Sequence, residues 1–198
     1  MPDARDVVLG RIRAALGPAP AVPEVPRDYG AAGAVPPDVD RFCERVADYR
    51  ATVHRVGEDE LAGAVAGLCP GRTAVPAQPP CAVDGIDVAS DERPLSVPEL
   101  DGVDTVLTGC ALAVAETGTI VLDGSPGCGR RALTLVPDHH VCVVRADQVV
   151  AQVPDAIAAL DRTAPLTFVS GPSATSDIEL ERVEGVHGPR RLDVVVVG

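Results

Sequence analysis

Apolar positions along this chain alternate between a helical and an extended rhythm. Val8, Ile12 and Leu16 recur at four-residue spacing within "DARDVVLGRIRAAL", which predicts a short amphipathic helix closed by Gly17. The next helical stripe is Val39, Phe42, Val46 and Tyr49. "ATVHRV" then reads as a strand, "DELAGAVAGL" as a helix with Leu61, Val65 and Leu68 aligned, and "RTAVP" as another strand, a βαβ rhythm. From Gln78 to Leu100 the periodicity is weak, with "GIDVAS" a short strand. Beyond it, "DTVLTG", "GTIVLDG", "RALTLVP", "HHVCVVRA", "LTFVS" and "LDVVVVG" are expected strands. "CALAVAET" is expected to be a short helix or helical turn, and Asp147 the N-cap of a helix running to Leu160. Strands apolar on both faces and divided by helices predict an open α/β sandwich, its sheet covered on both sides.

The punctuation divides the chain in two. Six prolines together with Gly30 and Gly33 fall between Pro18 and Pro37, a composition that favours an extended connector. Residues 1–37 are therefore expected to be a helix on a flexible arm, and residues 38–198 a single α/β domain, a size that supports a substantial core.

Composition narrows the function classes. Two Phe, two Tyr and no Trp leave little for bases to stack on, and 29 acidic against 17 basic residues give a net charge of -12. Both features exclude nucleic acid as an expected partner. All 17 basic residues are Arg, which removes Schiff-base chemistry and the lysine-dependent phosphate loop. The six cysteines contain no CxxC pair, so neither zinc nor an iron–sulfur cluster is expected. His139 and His140 are adjacent and on a strand would point to opposite faces, which disfavours a shared metal. Without a signal-like h-region or a long apolar stretch, the chain is expected to be cytoplasmic and off the membrane.

Three stretches could carry chemistry. In "GPSATSDIELERVEGVHGP", Gly171 and Pro172 turn the chain out of a strand, and Ser176 and Glu179 have capping-box spacing. A helix beginning at the C-terminal edge of a parallel strand would offer an anion site in which Gly171, Ser173 and Ser176 contact the ligand. Asp177 and Glu179 in the first turn suit a metal, a hydroxyl or a proton transfer better than a phosphate. His187, between glycines and a proline, can serve as acid, base or hydrogen-bond donor. In "AETGTIVLDG", Glu116 stands between apolar segments and is a candidate acid–base or nucleophile, while the turn at Thr117 and Gly118 could present amides to an oxyanion. In "DGSPGCGRR", Arg130 or Arg131 could clamp a carboxylate or phosphate. An ordinary capped helix, a turn-tightening histidine and a glycine-rich hairpin account for the same residues without a ligand.

Taken together, "AETGTIVLDG", "LVPDHHVCVV", "SGPSATSDIE" and "GVHGP" resemble, in that order, the LUD domain family to which the lactate-utilisation C proteins belong. The matching residues are Glu116, Thr117 and Gly118; Gly171, Pro172, Ser173, Asp177, Ile178 and Glu179; and His187, Gly188 and Pro189. The resemblance implies a Rossmann-like three-layer sandwich similar to the NagB/RpiA/CoA-transferase-like proteins. It implies a role without a cluster or cofactor of its own, beside iron–sulfur partner proteins that oxidise L-lactate to pyruvate, and a small carboxylate or phosphorylated metabolite as ligand. A stand-alone acyl- or CoA-transferase-like or isomerase-like enzyme, with Glu116 as nucleophile by analogy, and a structural assembly subunit remain alternatives. The quaternary state is open between a monomer and a homo-oligomer.

The arm generates the first test. Limited proteolysis should cut between Pro18 and Pro37 and leave a folded remainder; a resistant connector, or a remainder that unfolds, would contradict the division at residue 37.

Overall fold

The computed structural model describes residues 3–18, 23–27, 32–172 and 188–198. The first apolar stripe forms α1 (Ala4–Leu16), opened by the Asp3 carboxylate and closed at Gly17, and none of its residues is buried. The connector touches the domain before residue 38, because the Gly33 N–H donates to the Asp155 carboxylate at 2.5 Å. Then follow α2 (Val39–Asp48), β1 (Thr52–Val56), α3 (Leu61–Leu68), β2 (Arg72–Val75), β3 (Asp87–Ser90), α4 (Val97–Asp101) and β4 (Thr105–Thr108). The rest comprises β5 (Leu112–Val114), β6 (Thr119–Leu122), β7 (His139–Arg145), β8 (Val149–Val150), α5 (Val153–Ala159), β9 (Thr167–Val169) and β10 (Arg191–Val197). No helix among the described residues is long and apolar enough to cross a membrane.

Six strands build a parallel sheet in the order β1-β10-β7-β4-β2-β3. Its central strands are apolar on both faces, as a doubly covered sheet requires. On one face Val141, Val143, Val195 and Val197 pack on Leu61 and Val65 of α3. On the other, Cys142, Val144, Val194 and Val196 meet Phe42 and Val46 of α2 together with Ala113 and Ile120. Ala113 and Ile120 belong to a second sheet, ordered β8-β5-β6-β9, whose outer residues Leu112, Val114 and Val121 are covered by Ala156 of α5. The Rossmann-like layered architecture is as expected, except that one covering layer is part helix and part small sheet.

That small sheet accounts for two of three departures from the expected elements. "CALAVAET" is the strand β5 and a turn over 115–118, because its short apolar run is buried on both faces between the main sheet and α5. Such a run suits a buried strand or a helix equally by pattern. The helix expected from Asp147 is instead a 3₁₀ turn (Ala146–Gln148), the strand β8 beside β5, and then α5, which starts after Gln152 with a proline in its first turn. "RALTLVP" is a 3₁₀ turn over Arg131–Thr134 rather than a strand, with Leu133 buried against Leu100 and Val106.

The main sheet carries one fully buried carboxylate. Asp193 in β10 is 0% exposed. Its Oδ1 accepts from His54 Nε2 of β1 at 2.7 Å, and its Oδ2 from His139 Nε2 of β7 and Arg191 Nε, each also at 2.7 Å. An ionised carboxylate only accepts, so His139 carries a proton on Nε2; in its neutral form Nδ1 takes the Thr105 hydroxyl, 3.2 Å away. Burial alone would raise the Asp193 pKa, but the hydrogen bonds from His139, His54 and Arg191 outweigh it and hold the group below the usual carboxylate range.

Asp193→Asn should therefore cost about 3–5 kcal/mol at neutral pH, measured by urea denaturation. Because the folded pKa lies below the unfolded value of about 3.9, the charge stabilises the wild type above that pH. The stabilisation is lost as pH falls through the folded value, so the gap between wild type and variant should narrow below about pH 4. A gap that stays constant into acid would contradict the ionised lock.

Candidate functional site

Two glycine turns determine where the site lies. The turn over 115–118 joins β5 to β6, and Gly118 has φ +61°; a Cβ there would lie 2.7 Å from backbone atoms of Arg45 and Val46. Gly171 follows β9 with φ +80°, and its Cβ would lie 2.5 Å from the Tyr49 carbonyl oxygen. Arg45 and Tyr49 are one helical turn apart, so both glycines are contact points for α2. A chain of hydroxyls joins the turns: Thr117 Oγ1 to Thr119 Oγ1 at 2.7 Å, and Thr119 Oγ1 to Ser170 Oγ at 2.8 Å. Glu116 is half-buried, and its N–H donates to the Ala151 carbonyl at 3.0 Å.

The turn at Gly171 leaves β9 of the small sheet, where β9 runs antiparallel to β6. The expected anion site at the end of a parallel strand thus loses its premise. Ser173, Ser176, Asp177, Ile178, Glu179 and His187 lie outside the described residues. Their flanks Gly171, Pro172, Gly188 and Pro189 line one cavity, so the two ends of the stretch converge.

That cavity, of about 70 Å³, is walled in addition by Arg131, Thr134, His140, Phe168 and Ser170. His140 is 2% exposed and sits on the sheet face opposite His139, its Nε2 2.8 Å from Thr108 Oγ1. Arg131 uses Nη1 alone among its nitrogens to reach protein atoms of the described residues, donating to Thr134 Oγ1 at 2.7 Å and to the Thr134 carbonyl at 3.0 Å. Burial holds its pKa below the usual arginine range, the mark of a cation that has lost water without gaining a carboxylate. Arg130 is differently placed: Nε and Nη2 grip the Asp91 carboxylate at 2.8 Å each, and Nη2 also donates to the Leu95 carbonyl. Of the two adjacent arginines, Arg131 faces the cavity with donors to offer. His140 and Thr134 were not foreseen as site residues. The alternation of "HHVCVV" was the available signal, since it sends one histidine to each face.

A larger cavity, of about 420 Å³, lies between the connector and the first turn of α2, and both of its carboxylates are already engaged. Asp38 caps α2 through the Arg41 N–H, and Asp40 pairs with Arg55 at 2.5 Å. The cysteines are free thiols, and no group of three or more His, Cys, Asp or Glu among the described residues is arranged to hold a metal ion.

Fold and cavity together define a layered α/β protein with a small, partly desolvated cationic chamber between its two sheets. A model of the LUD domain matches residues 90–197. A Deinococcus radiodurans protein called lactate utilization protein C is 53% identical over 166 residues, covering 80% of this chain and 78% of its own. A Bacillus pumilus protein of the same name is 35% identical over 117 residues, 55% of this chain and 48% of that one. The crystal structure of a DUF162 family protein from Deinococcus radiodurans matches with a TM-score of 0.69 at 47% identity, covering 81% of this chain and 96% of that chain. The chain belongs to the LUD domain family.

The two glycine seats are testable against a third glycine. Gly118→Ala and Gly171→Ala should each lose about 3 kcal/mol or more, combining a left-handed penalty of about 1–2 with overpacking of about 1–3. Gly85 has φ +79° with nothing within 4 Å of its Cβ position, so Gly85→Ala should lose about 1–2 kcal/mol. Equal losses at all three, measured by denaturant melts, would remove the case that α2 is seated on these turns.

Proposed function

We propose that this chain is the non-cluster component of a bacterial lactate-utilisation system and binds a small carboxylate or phosphorylated metabolite in the cavity at Arg131. The relationship to proteins called lactate utilization protein C supports the role. The observation that carries the binding is Arg131 itself, a guanidinium that lines the chamber with hydroxyls at hand and no carboxylate beside it among the described residues. Planar guanidinium donors match a carboxylate or phosphate in pairs. His140, Ser170 and Thr134 add further hydrogen-bonding groups around the bound anion. Iron–sulfur partner proteins, a cytoplasmic location and membership of a multi-protein assembly belong to the same proposal, by resemblance.

Glu116 does not line this cavity, so the transferase-like alternative gains no support from the arrangement around Arg131. Asp177 and His187 keep their candidate roles as residues of the stretch whose two flanks reach the chamber.

Calorimetric titration of the purified protein with L-lactate, pyruvate and inorganic phosphate tests the binding. At least one should bind, and Arg131→Gln should weaken it about 10- to 100-fold, the value of a charge-assisted hydrogen bond or two. Arg130→Gln should instead lower stability by breaking the Asp91 pair. Absence of binding by all three, or an Arg131→Gln variant indistinguishable from wild type, would overturn the site. Growth of a deletion strain on L-lactate, restored by the wild-type chain, tests the role separately.

A further inference from the structure

Arg131 is a wall shared by two cavities. The inner chamber of about 70 Å³ has room for a head group of a few heavy atoms. A second cavity of about 310 Å³ also has Arg131, Thr134 and Thr167 in its lining and continues over Leu122, Pro165 and Leu166. That volume is at the lower end of ordinary small-molecule pockets. Lactate, with three carbons, would leave it empty.

The outer cavity differs from the inner one in what it can recognise. Its other cation is Arg130, whose Nε and Nη2 are held by Asp91 and whose pKa is raised by that hydrogen bond. A second phosphate or carboxylate would therefore find no ready partner there. The lining offers mainly apolar contact, through Leu122, Pro165 and Leu166.

We infer that the occupant of this site is a monocarboxylate with an uncharged, apolar tail longer than that of lactate. The carboxylate sits against Arg131 and the tail runs along the outer cavity over Leu122, Pro165 and Leu166. This rests on the reading of Arg131 as an anion site and adds the class of ligand. In the setting of lactate utilisation it makes the bound molecule something other than lactate itself.

A series of straight-chain carboxylates, from acetate through butanoate and hexanoate to octanoate, tests it by titration calorimetry on the full chain. Affinity should rise about two- to fourfold for each added methylene until the outer cavity is filled, following the burial of apolar surface. Arg131→Gln should weaken every member at least tenfold. Leu166→Ala, in the wall of the outer cavity and not of the inner chamber, should leave acetate unchanged and weaken hexanoate several-fold. If acetate and hexanoate bind equally and both respond to Arg131→Gln, the tail is wrong and the anion site stands. If no carboxylate binds, or binding ignores Arg131→Gln, the anion site falls and the tail with it.

Discussion

The buried Asp193 carboxylate constrains the main sheet more tightly than any apolar contact. An isolated charge in the interior would be lost to protonation or unfolding, because desolvating it costs several kcal/mol. It is tolerated because β1, β7 and its own strand β10 each supply a donor, His54, His139 and Arg191. Apolar strands of Val and Leu could slide by two residues and still bury their side chains. A carboxylate that needs three donors at 2.7 Å cannot. The lock therefore sets register across the three strands on which the layers of both faces are built.

Its influence reaches the site through a peptide bond. His139 and His140 are consecutive on β7, so fixing His139 against Asp193 fixes the opposite orientation of His140, which lines the chamber. The other walls are held from a different direction. Gly118 and Gly171 bring two turns of the small sheet against α2, and the hydroxyl chain from Thr117 to Ser170 ties those turns together. The LUD match begins at residue 90, yet α2, β1 and His54 lie before it. The first third of the chain is thus part of what holds the site together.

Much of the fold was legible in the sequence, and two of the three failures have a common physical cause. β1, β2, β3, β4, β7 and β10 are all strands as their β-branched runs predict, and α2 and α3 follow their apolar stripes. The failures at "CALAVAET" and after Asp147 fall on β5 and β8 of the small sheet, strands of three and two residues, too short to show an alternation. Pattern has nothing to read there, and pairing across distant segments decides. The site was legible in part. Thr117, Gly118 and Gly171 do meet around one region, through hydroxyl contacts and a shared helix rather than a ligand. Arg130 and Arg131 are equivalent as sequence; the position of Asp91, 39 residues earlier, separates the structural arginine from the one facing the chamber.

The charge balance makes the same distinction at larger scale. With a net charge of -12, the molecule as a whole repels anions, and at physiological ionic strength that field decays over about 8 Å. Attraction for a carboxylate must then be local, from one guanidinium whose field is strengthened by the water it has lost. The chamber also lies near the starts of the main strands, since His140 and Leu192 are the second residues of β7 and β10. Open parallel sheets usually bind ligands beyond the carboxyl ends of their strands, where helix N-termini assist. At this opposite end the chain relies on a side chain instead. An acidic surface that presents Arg131 beside an apolar cavity would admit few anions and hold those whose uncharged remainder can be buried there.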